Sequence, residues 1–319
     1  MPEELLGEAL LGEALIVATE RLRAAGSETP RLDAEVLLAY VLDTDRTAVL
    51  AHPEAPIGAG RREAFAAAVA RRERGEPVAY IRGIKEFYGL VLAADPRALI
   101  PRPETELLVD LAVARAAAFL SGPRWGPERG RLRVIDVGTG SGAVALAFVA
   151  TLRRRGYGDI LDVLATDASP DALALARENA AFHGLADAVR FREADLLPDD
   201  EPPFDLVLAN LPYVPSDEVD RLPVAASFEP RAALDGGPDG LASIAPLVER
   251  LDERTSELAG ALIEIGPHLF VTLGALVRET LPGWRPTFHD DLAGRTRVAE
   301  LARGATRDRD AERTPLPRG

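Results

Sequence analysis

Four stretches of this 319-residue chain place special residues where an apolar run ends. "VIDVGTGSGAVALA" carries Asp136 and then Gly138, Thr139, Gly140, Ser141 and Gly142. "DVLATD" ends on Asp167, "FREADLL" carries Asp195 and Leu196, and "FDLVLANLPYV" delivers Asn210, Leu211, Pro212 and Tyr213. Alternate glycines after a strand let a backbone pass close to a ligand and let the next helix pack tightly on the sheet. Gly138, Gly140 and Ala143 also fit the dinucleotide pattern G-x-G-x-x-A, so a nicotinamide cofactor is one reading. Asp136 argues for another. A carboxylate two positions before the first glycine opposes a pyrophosphate and attracts a cation. S-adenosylmethionine, a sulfonium with an amino group, has the matching charge. Asp167, ending the next strand, can accept both ribose hydroxyls. Asp195, at the end of a third, is placed for the exocyclic amine of adenine.

The tetrapeptide Asn210 to Tyr213 is foreign to a buried strand. The Asn210 side chain and the Leu211 backbone carbonyl offer two acceptors aimed at one point, which suits a substrate NH₂ group with its two donors. Pro212 holds Leu211 extended and fixes the direction of that carbonyl. Tyr213 can lie flat against a planar amide or base. Holding both N–H bonds aims a poorly nucleophilic nitrogen at a methyl group by orientation and electrostatics, without a strong base.

Several elements must position these residues. Residues 1–82 show helical periodicity in three segments: "EELLGEALLGEALIVATERLRAAG", "SETPRLDAEVLLAYVLD" and "GRREAFAAAVARRERGEP". They form a small bundle without catalytic residues, expected to recognise a protein substrate. Residues 83–100 read as a β-hairpin linker, and "IPRPETELLVDLAVARAAAFL" as a long helix opened by Pro103. From residue 101 to 304 strands and helices alternate. The expected strands are Leu132–Val137, Leu161–Thr166, Val189–Arg192, Phe204–Ala209 and Ala261–Ile265, closed by the pair "WRPTFHD" and "RTRVAELA". The expectation is an α/β fold with a mostly parallel seven-stranded sheet and helices on both faces, preceded by the bundle. The polar stretch 305–319 is expected to be disordered.

Composition narrows the function. The net charge is −14 and Lys85 is the only lysine, a poor balance for gripping nucleic acid phosphates. Cysteine is absent, which excludes disulfides, thiolate metal sites and cysteine nucleophiles and fits a cytoplasmic setting. No uncharged apolar run of about 18 residues occurs, so no membrane span is expected. No basic residue precedes Arg21, so no secretory signal is expected either.

With the glycine loop, Asp167 and "NLPY" in place, the chain resembles the class I methyltransferases that modify planar NH₂ groups. Among them it resembles the HemK-type protein-(glutamine-N5) methyltransferases that act on peptide chain release factors. "PVAYIRGIKEFYGL", "LIPRPETELLV", "FEPRAALDGGPDGL" and "DLAGRTRV" extend the likeness from Pro77 to about Leu301. The resemblance implies transfer of a methyl group from S-adenosylmethionine to the glutamine of the release factors' Gly-Gly-Gln loop. It implies that Asn210 and the Leu211 carbonyl hold that amide and that Tyr213 walls the pocket beside Pro212. It also implies that Gly138 to Gly142 hold the cofactor with Asp136, Asp167, Asp195, Leu196 and Asn210. Leu211 stands where the family usually has proline, and Leu196 where it often has an aromatic residue. Other readings are a ribosomal-protein glutamine methyltransferase, a DNA adenine methyltransferase that flips its base, and a cofactor-binding partner protein without catalysis.

Overall fold

The computed structural model describes residues 10–122 and 130–303. The first residues of the expected opening helix and the expected disordered tail lie outside them. The N-terminal part is a bundle of α1 (Leu11–Ala24), α2 (Pro30–Leu42), α3 (Arg46–Ala51), α4 (Ala59–Glu73) and α5 (Val78–Arg82). Leu11, Leu15, Ala18 and Leu22 put one stripe of α1 into the bundle core, where Leu37, Leu38, Phe65 and Val69 meet it. Arg72 pairs with the buried Asp33 at 2.7 Å, tying α4 to α2. The two helices beyond the three expected are short. α3 buries only Val49 and depends on Asp45, whose side chain accepts from the Ala48 N–H at 2.8 Å. So short an element carries no legible periodicity.

Strands β1 (Ile84–Phe87) and β2 (Leu90–Ala93) form the antiparallel hairpin that leads out of the bundle. A strap follows, with a 3-10 turn over Pro103–Thr105, and runs into α6 (Glu106–Ser121). Then come β3 (Leu132–Val137), α7 (Ala143–Arg154), β4 (Leu161–Asp167), α8 (Pro170–Phe182), β5 (Val189–Glu193) and β6 (Phe204–Ala209). The chain closes with α9 (Ser216–Val219), α10 (Ile244–Arg254), β7 (Thr255–Glu264), α11 (Phe270–Thr280), β8 (Trp284–Asp290) and β9 (Thr296–Arg303). The seven strands from β3 on form one sheet in the order β5-β4-β3-β6-β7-β9-β8. The first five are parallel and the last pair is antiparallel, as expected.

Its two faces are covered differently. α6 and α7 pack over one core with Leu108, Val113, Leu146 and Phe148. α10 and α11 pack over the other with Leu247, Leu251, Leu273 and Val277. Two of the differences from the expected strand boundaries are larger than a residue or bear on the site. β5 ends at Glu193, so Asp195 lies in the turn beyond it and not on the strand end. β7 begins at Thr255, because that residue still pairs with Phe204 before a register shift.

The order of the strands decides where a ligand can bind. From β3 the chain builds outward through β4 and β5, then returns to lay β6 and β7 on the other side of β3. The carboxyl ends of β3 and β6 are therefore neighbours at the switch point, with Val137 opposite Ala209.

Candidate active site

The glycine loop leaves β3 at that switch point. Gly138, Gly140 and Gly142 all have positive φ, a conformation that costs other residues energy. The Gly142 N–H donates to the Thr139 carbonyl at 2.9 Å, and the Thr139 N–H to the Thr166 carbonyl on β4 at 2.8 Å. The loop is thus fixed before any ligand arrives. Asp136 lies under it and is 1% exposed. Its Oδ2 accepts from the Thr139 hydroxyl at 2.7 Å and from the Ala145 N–H, at the start of α7, at 3.2 Å. Burial pushes this carboxyl up to about 7, against the pull of those two bonds. Asp167 Oδ2 accepts from the Gly140 N–H at 2.8 Å and Oδ1 from the Ser169 N–H at 2.9 Å. Each oxygen keeps a further lone pair for a ligand hydroxyl.

The strap between the hairpin and α6 closes over this loop. Ala98 faces Gly140, with its Cβ 3.9 Å from where a Gly140 Cβ would stand. The buried Tyr80 of α5 holds the strap by donating its hydroxyl to the Ala98 carbonyl at 2.8 Å. The buried Glu229 holds it from the other side, accepting from the Ile100 N–H at 2.9 Å and from Arg102 at 2.5 Å. These contacts join "PVAY", "ALIPR" and "FEPR", which the sequence leaves apart.

Asn210 follows β6. Its Nδ2 donates to the buried Thr105 hydroxyl of the strap at 3.2 Å. Among the described residues no donor bonds Asn210 Oδ1 or the Leu211 carbonyl. The Leu211 side chain is buried in the α10/α11 core. The next turn is braced by "LDGGPDG". The Val214 N–H donates to the Leu234 carbonyl of that segment at 3.0 Å and the Val214 carbonyl accepts from the Gly236 N–H at 2.8 Å, and a Cβ on Gly236 would stand 2.7 Å from Tyr213 Cα. Only glycine permits so close a pass.

One cavity of about 390 Å³ gathers these parts. Asp136, Gly138, Thr139, Gly140, Ser141, Asp167, Asp195, Leu196, Asn210, Leu211 and Pro212 all line it. Leu196 does so with a left-handed φ of 60°, and Asp195 is exposed at the rim. Gly142 is set back from the cavity, where it lets α7 approach Ala176 of α8. Tyr213 does not line it either. Its phenol reaches the Glu264 Oε1 at 3.4 Å, behind the tetrapeptide. The wall expected from Tyr213 is supplied by the strap, through Ile100, Pro101 and Arg102. Three acids line the cavity, whereas its two arginines are already paired, Arg97 with Asp95 and Glu178, Arg102 with Glu229. The net field favours a cation, and Gly140 leaves room for a ligand, since only Ala98 comes within 4 Å of where its β-carbon would stand. These residues fit S-adenosylmethionine better than a dinucleotide. Among the described residues no group of acids or histidines could hold a metal ion, and no helix is long and apolar enough to cross a membrane.

Sequence reasoning missed Tyr80, Ile100, Thr105, Glu229 and Glu264. For Glu264 the sequence holds no signal; the parallel register supplies it, because Ala209 stands opposite Ile263 and the residues after them, Asn210 and Glu264, are neighbours.

Residues 13–83 match the family model described as the PrmC N-terminal domain, and residues 134–225 match that of a methyltransferase domain. The release factor glutamine methyltransferase of Deinococcus radiodurans is 36% identical over 293 residues, 92% of this chain and 98% of its own length. That of Moorella thermoacetica is 41% identical over 235 residues, covering 72% and 76%. Among solved structures, the hMettl16 catalytic domain in complex with MAT2A 3'UTR hairpin 6 superposes with a TM-score of 0.51 at 18% identity, covering 69% of this chain and 77% of that one. At that identity the likeness concerns the fold alone.

Proposed function

The chain belongs to the release factor glutamine methyltransferase family, and from that premise we propose that it methylates the side-chain amide nitrogen of the glutamine in the Gly-Gly-Gln loop of peptide chain release factors. The fold is that of the class I S-adenosylmethionine-dependent methyltransferases. The methyl donor is S-adenosylmethionine, and the setting is the cytoplasm, where the modification modulates translation termination. The observation that carries the reading is the pair of free acceptors, Asn210 Oδ1 and the Leu211 carbonyl, beside the acid-lined cradle.

Asp167 would hold the ribose hydroxyls of the donor, Asp195 and Leu196 would border its adenine, and Asp136 would balance its positive charge through the loop. When bound, S-adenosylmethionine supplies an electrophilic methyl group, and its sulfur keeps the C–S bonding pair to become a neutral thioether. Asn210 Oδ1 and the Leu211 carbonyl accept the two N–H bonds of the glutamine amide and turn its lone pair toward the methyl. The nitrogen forms one bond and becomes far more acidic, so its surplus proton leaves to water without a strong base. The strap and the Leu211 side chain wall the place where that nitrogen would stand. The helical bundle described from Leu11 to Arg82 recognises the protein that carries the glutamine. The charge of −14 and the acidic cavity speak against a nucleic acid substrate.

The test is a labelled-methyl transfer assay with release factor, ribosomal proteins and DNA side by side. Label on the release factor glutamine is the expected result. Label on a ribosomal protein alone, or on DNA, overturns the reading.

A further inference from the structure

We infer that Thr105 and Glu264 are positioning residues which decide that the oxygen of the Asn210 amide, and not its nitrogen, faces the substrate. The inference rests on the proposal that Asn210 holds a substrate NH₂ group. An asparagine amide is nearly symmetrical in shape, and turned end for end it would present two donors where the reaction needs an acceptor. Something must fix its sense.

Glu264 ends β7, beside Asn210 in the sheet, and is 1% exposed. As a carboxylate it only accepts. The Tyr213 phenol donates to its Oε1, while Oε2 is buried with no partner in normal hydrogen-bond geometry among the described residues. The carboxylate therefore has acceptor capacity left over. Thr105, bonded to Asn210 at 3.2 Å, and Glu264, next to Asn210 in the sheet, flank the same amide, and the Thr105 hydroxyl lies close enough to pull the Glu264 carboxyl down. A hydroxyl has one proton. With that proton turned to Glu264, the Thr105 oxygen can only accept from Asn210, and the 3.2 Å contact from Nδ2 does so. Asn210 Oδ1 is then left to the cavity. The sense of the whole row is set by its one group that cannot donate. The same turn of the strap sends Glu104 toward Arg297 at 3.6 Å, and Arg297 pairs with Asp291 at 3.0 Å. "PETE" and "DLAGRTR" thus meet behind the tetrapeptide.

The row has a built-in pH limit. Burial pushes Glu264 up to about 7, while Thr105, Arg297 and Tyr213 pull it down and Glu104 raises it further. Once protonated, Glu264 can donate to Thr105, which frees the Thr105 proton for Asn210 Oδ1. The amide loses its fixed sense, so transfer falls as pH drops through about 7.

The experiment uses the full chain with Thr105→Ala, Thr105→Ser and Glu264→Gln. The side chain introduced by Glu264→Gln carries an NH₂ of its own and can reverse the row without changing its shape. Three quantities are read: kcat and KM on release factor from pH 6 to 9, affinity for S-adenosylmethionine, and the Asn210 side-chain NH₂ resonances, assigned by their loss in Asn210→Ala. Thr105→Ala and Glu264→Gln should lower kcat/KM by about tenfold or more, the worth of roughly one well-made hydrogen bond. Cofactor affinity should hold, Thr105→Ser should restore the rate, and Glu264→Gln should lose the acid limb of kcat at saturating S-adenosylmethionine, where protonation of Asp136 no longer limits cofactor binding. The Asn210 resonances should titrate near neutrality in the parent and in neither deficient variant. Parent-like rates in Glu264→Gln, a Thr105→Ser as poor as Thr105→Ala, or resonances that ignore pH would overturn the inference. If the parent leaves release factor unlabelled while its Asn210 resonances titrate through Thr105, the functional reading fails and the row stands.

Discussion

The Leu211 side chain fills the space that a β-carbon on Gly138 would need, with Cδ2 at 2.8 Å from that position. The cofactor loop and the substrate tetrapeptide are therefore in van der Waals contact, and each limits what the other can be. Gly138→Ala would add a left-handed strain of about 1–2 kcal/mol at φ 70° to this collision. Calorimetry should show S-adenosylmethionine binding weakened by about tenfold or more, since 1.4 kcal/mol is a factor of ten. Adding Leu211→Ala should recover part of that loss, because it removes the collision and leaves the strain. A double variant no better than the single one would show that the contact is irrelevant.

Asn210→Ala deletes one of the two acceptors proposed for the glutamine amide. Loss of such a pre-organised contact costs about 2.7–4 kcal/mol, or roughly 100–1,000-fold in rate. Cofactor affinity should change far less. Asn210→Asp keeps an acceptor but adds a charge that favours the sulfonium in the ground state, so turnover should fall even where binding tightens. Leu211→Pro keeps the carbonyl and should keep activity, with a lower Tm from lost packing. Mass spectrometry of the glutamine peptide for one added methyl group decides between these outcomes, and parent-like turnover in Asn210→Ala would place the chemistry elsewhere.

What could be read from the sequence had local causes. Asp136, Asp167 and Asn210 stood out because each ends or interrupts an apolar strand, and a parallel sheet sends all such ends to one side. The glycines stood out because their spacing has few structural uses. Glu264 was hidden for the opposite reason. It sits in "ALIEIGP", where one acid in a strand signals nothing until the register puts it beside Asn210. Thr105, Tyr80 and Glu229 act across 105, 18 and 129 residues of chain, separations that no periodicity records. Tyr213 was expected in the cavity because its aromatic ring suits a planar substrate, yet a buried carboxyl behind it competes for its hydroxyl.

Tyr80 makes the cofactor site depend on the N-terminal part of the chain. Tyr80→Phe would leave the Ala98 carbonyl without its 2.8 Å donor in a buried place, a cost of about 1–3 kcal/mol. The strap over the glycine loop should loosen, and affinity for S-adenosylmethionine should fall several-fold by calorimetry. A chain cut after Arg82 should show the same defect on top of its loss of turnover on whole release factor. A cut chain beginning at Glu76, which keeps Tyr80, should bind cofactor more tightly than one beginning at Gly83. Equal affinities would show that Tyr80 does not hold the site.

Asp136 should trade stability for binding, in a direction that pH can reveal. Its folded-state carboxyl lies at about 7, well above the ordinary value of 3.8. Between those values the folded protein binds a proton that the unfolded chain does not. The folded state therefore loses stability as pH rises through this window and regains it as pH falls. Asp136→Asn removes the charge but keeps an oxygen for the Thr139 hydroxyl and the Ala145 N–H. Its Tm should exceed that of the parent at pH 8, and the difference should shrink toward pH 5. The same variant should bind S-adenosylmethionine more weakly, because the charge that balances a cation is gone. Thermal melts at the two pH values, with calorimetry at pH 8, test both halves. A variant less stable than the parent at pH 8 would mean that Asp136 is held as a stabilising carboxylate and is not kept at a cost for its ligand.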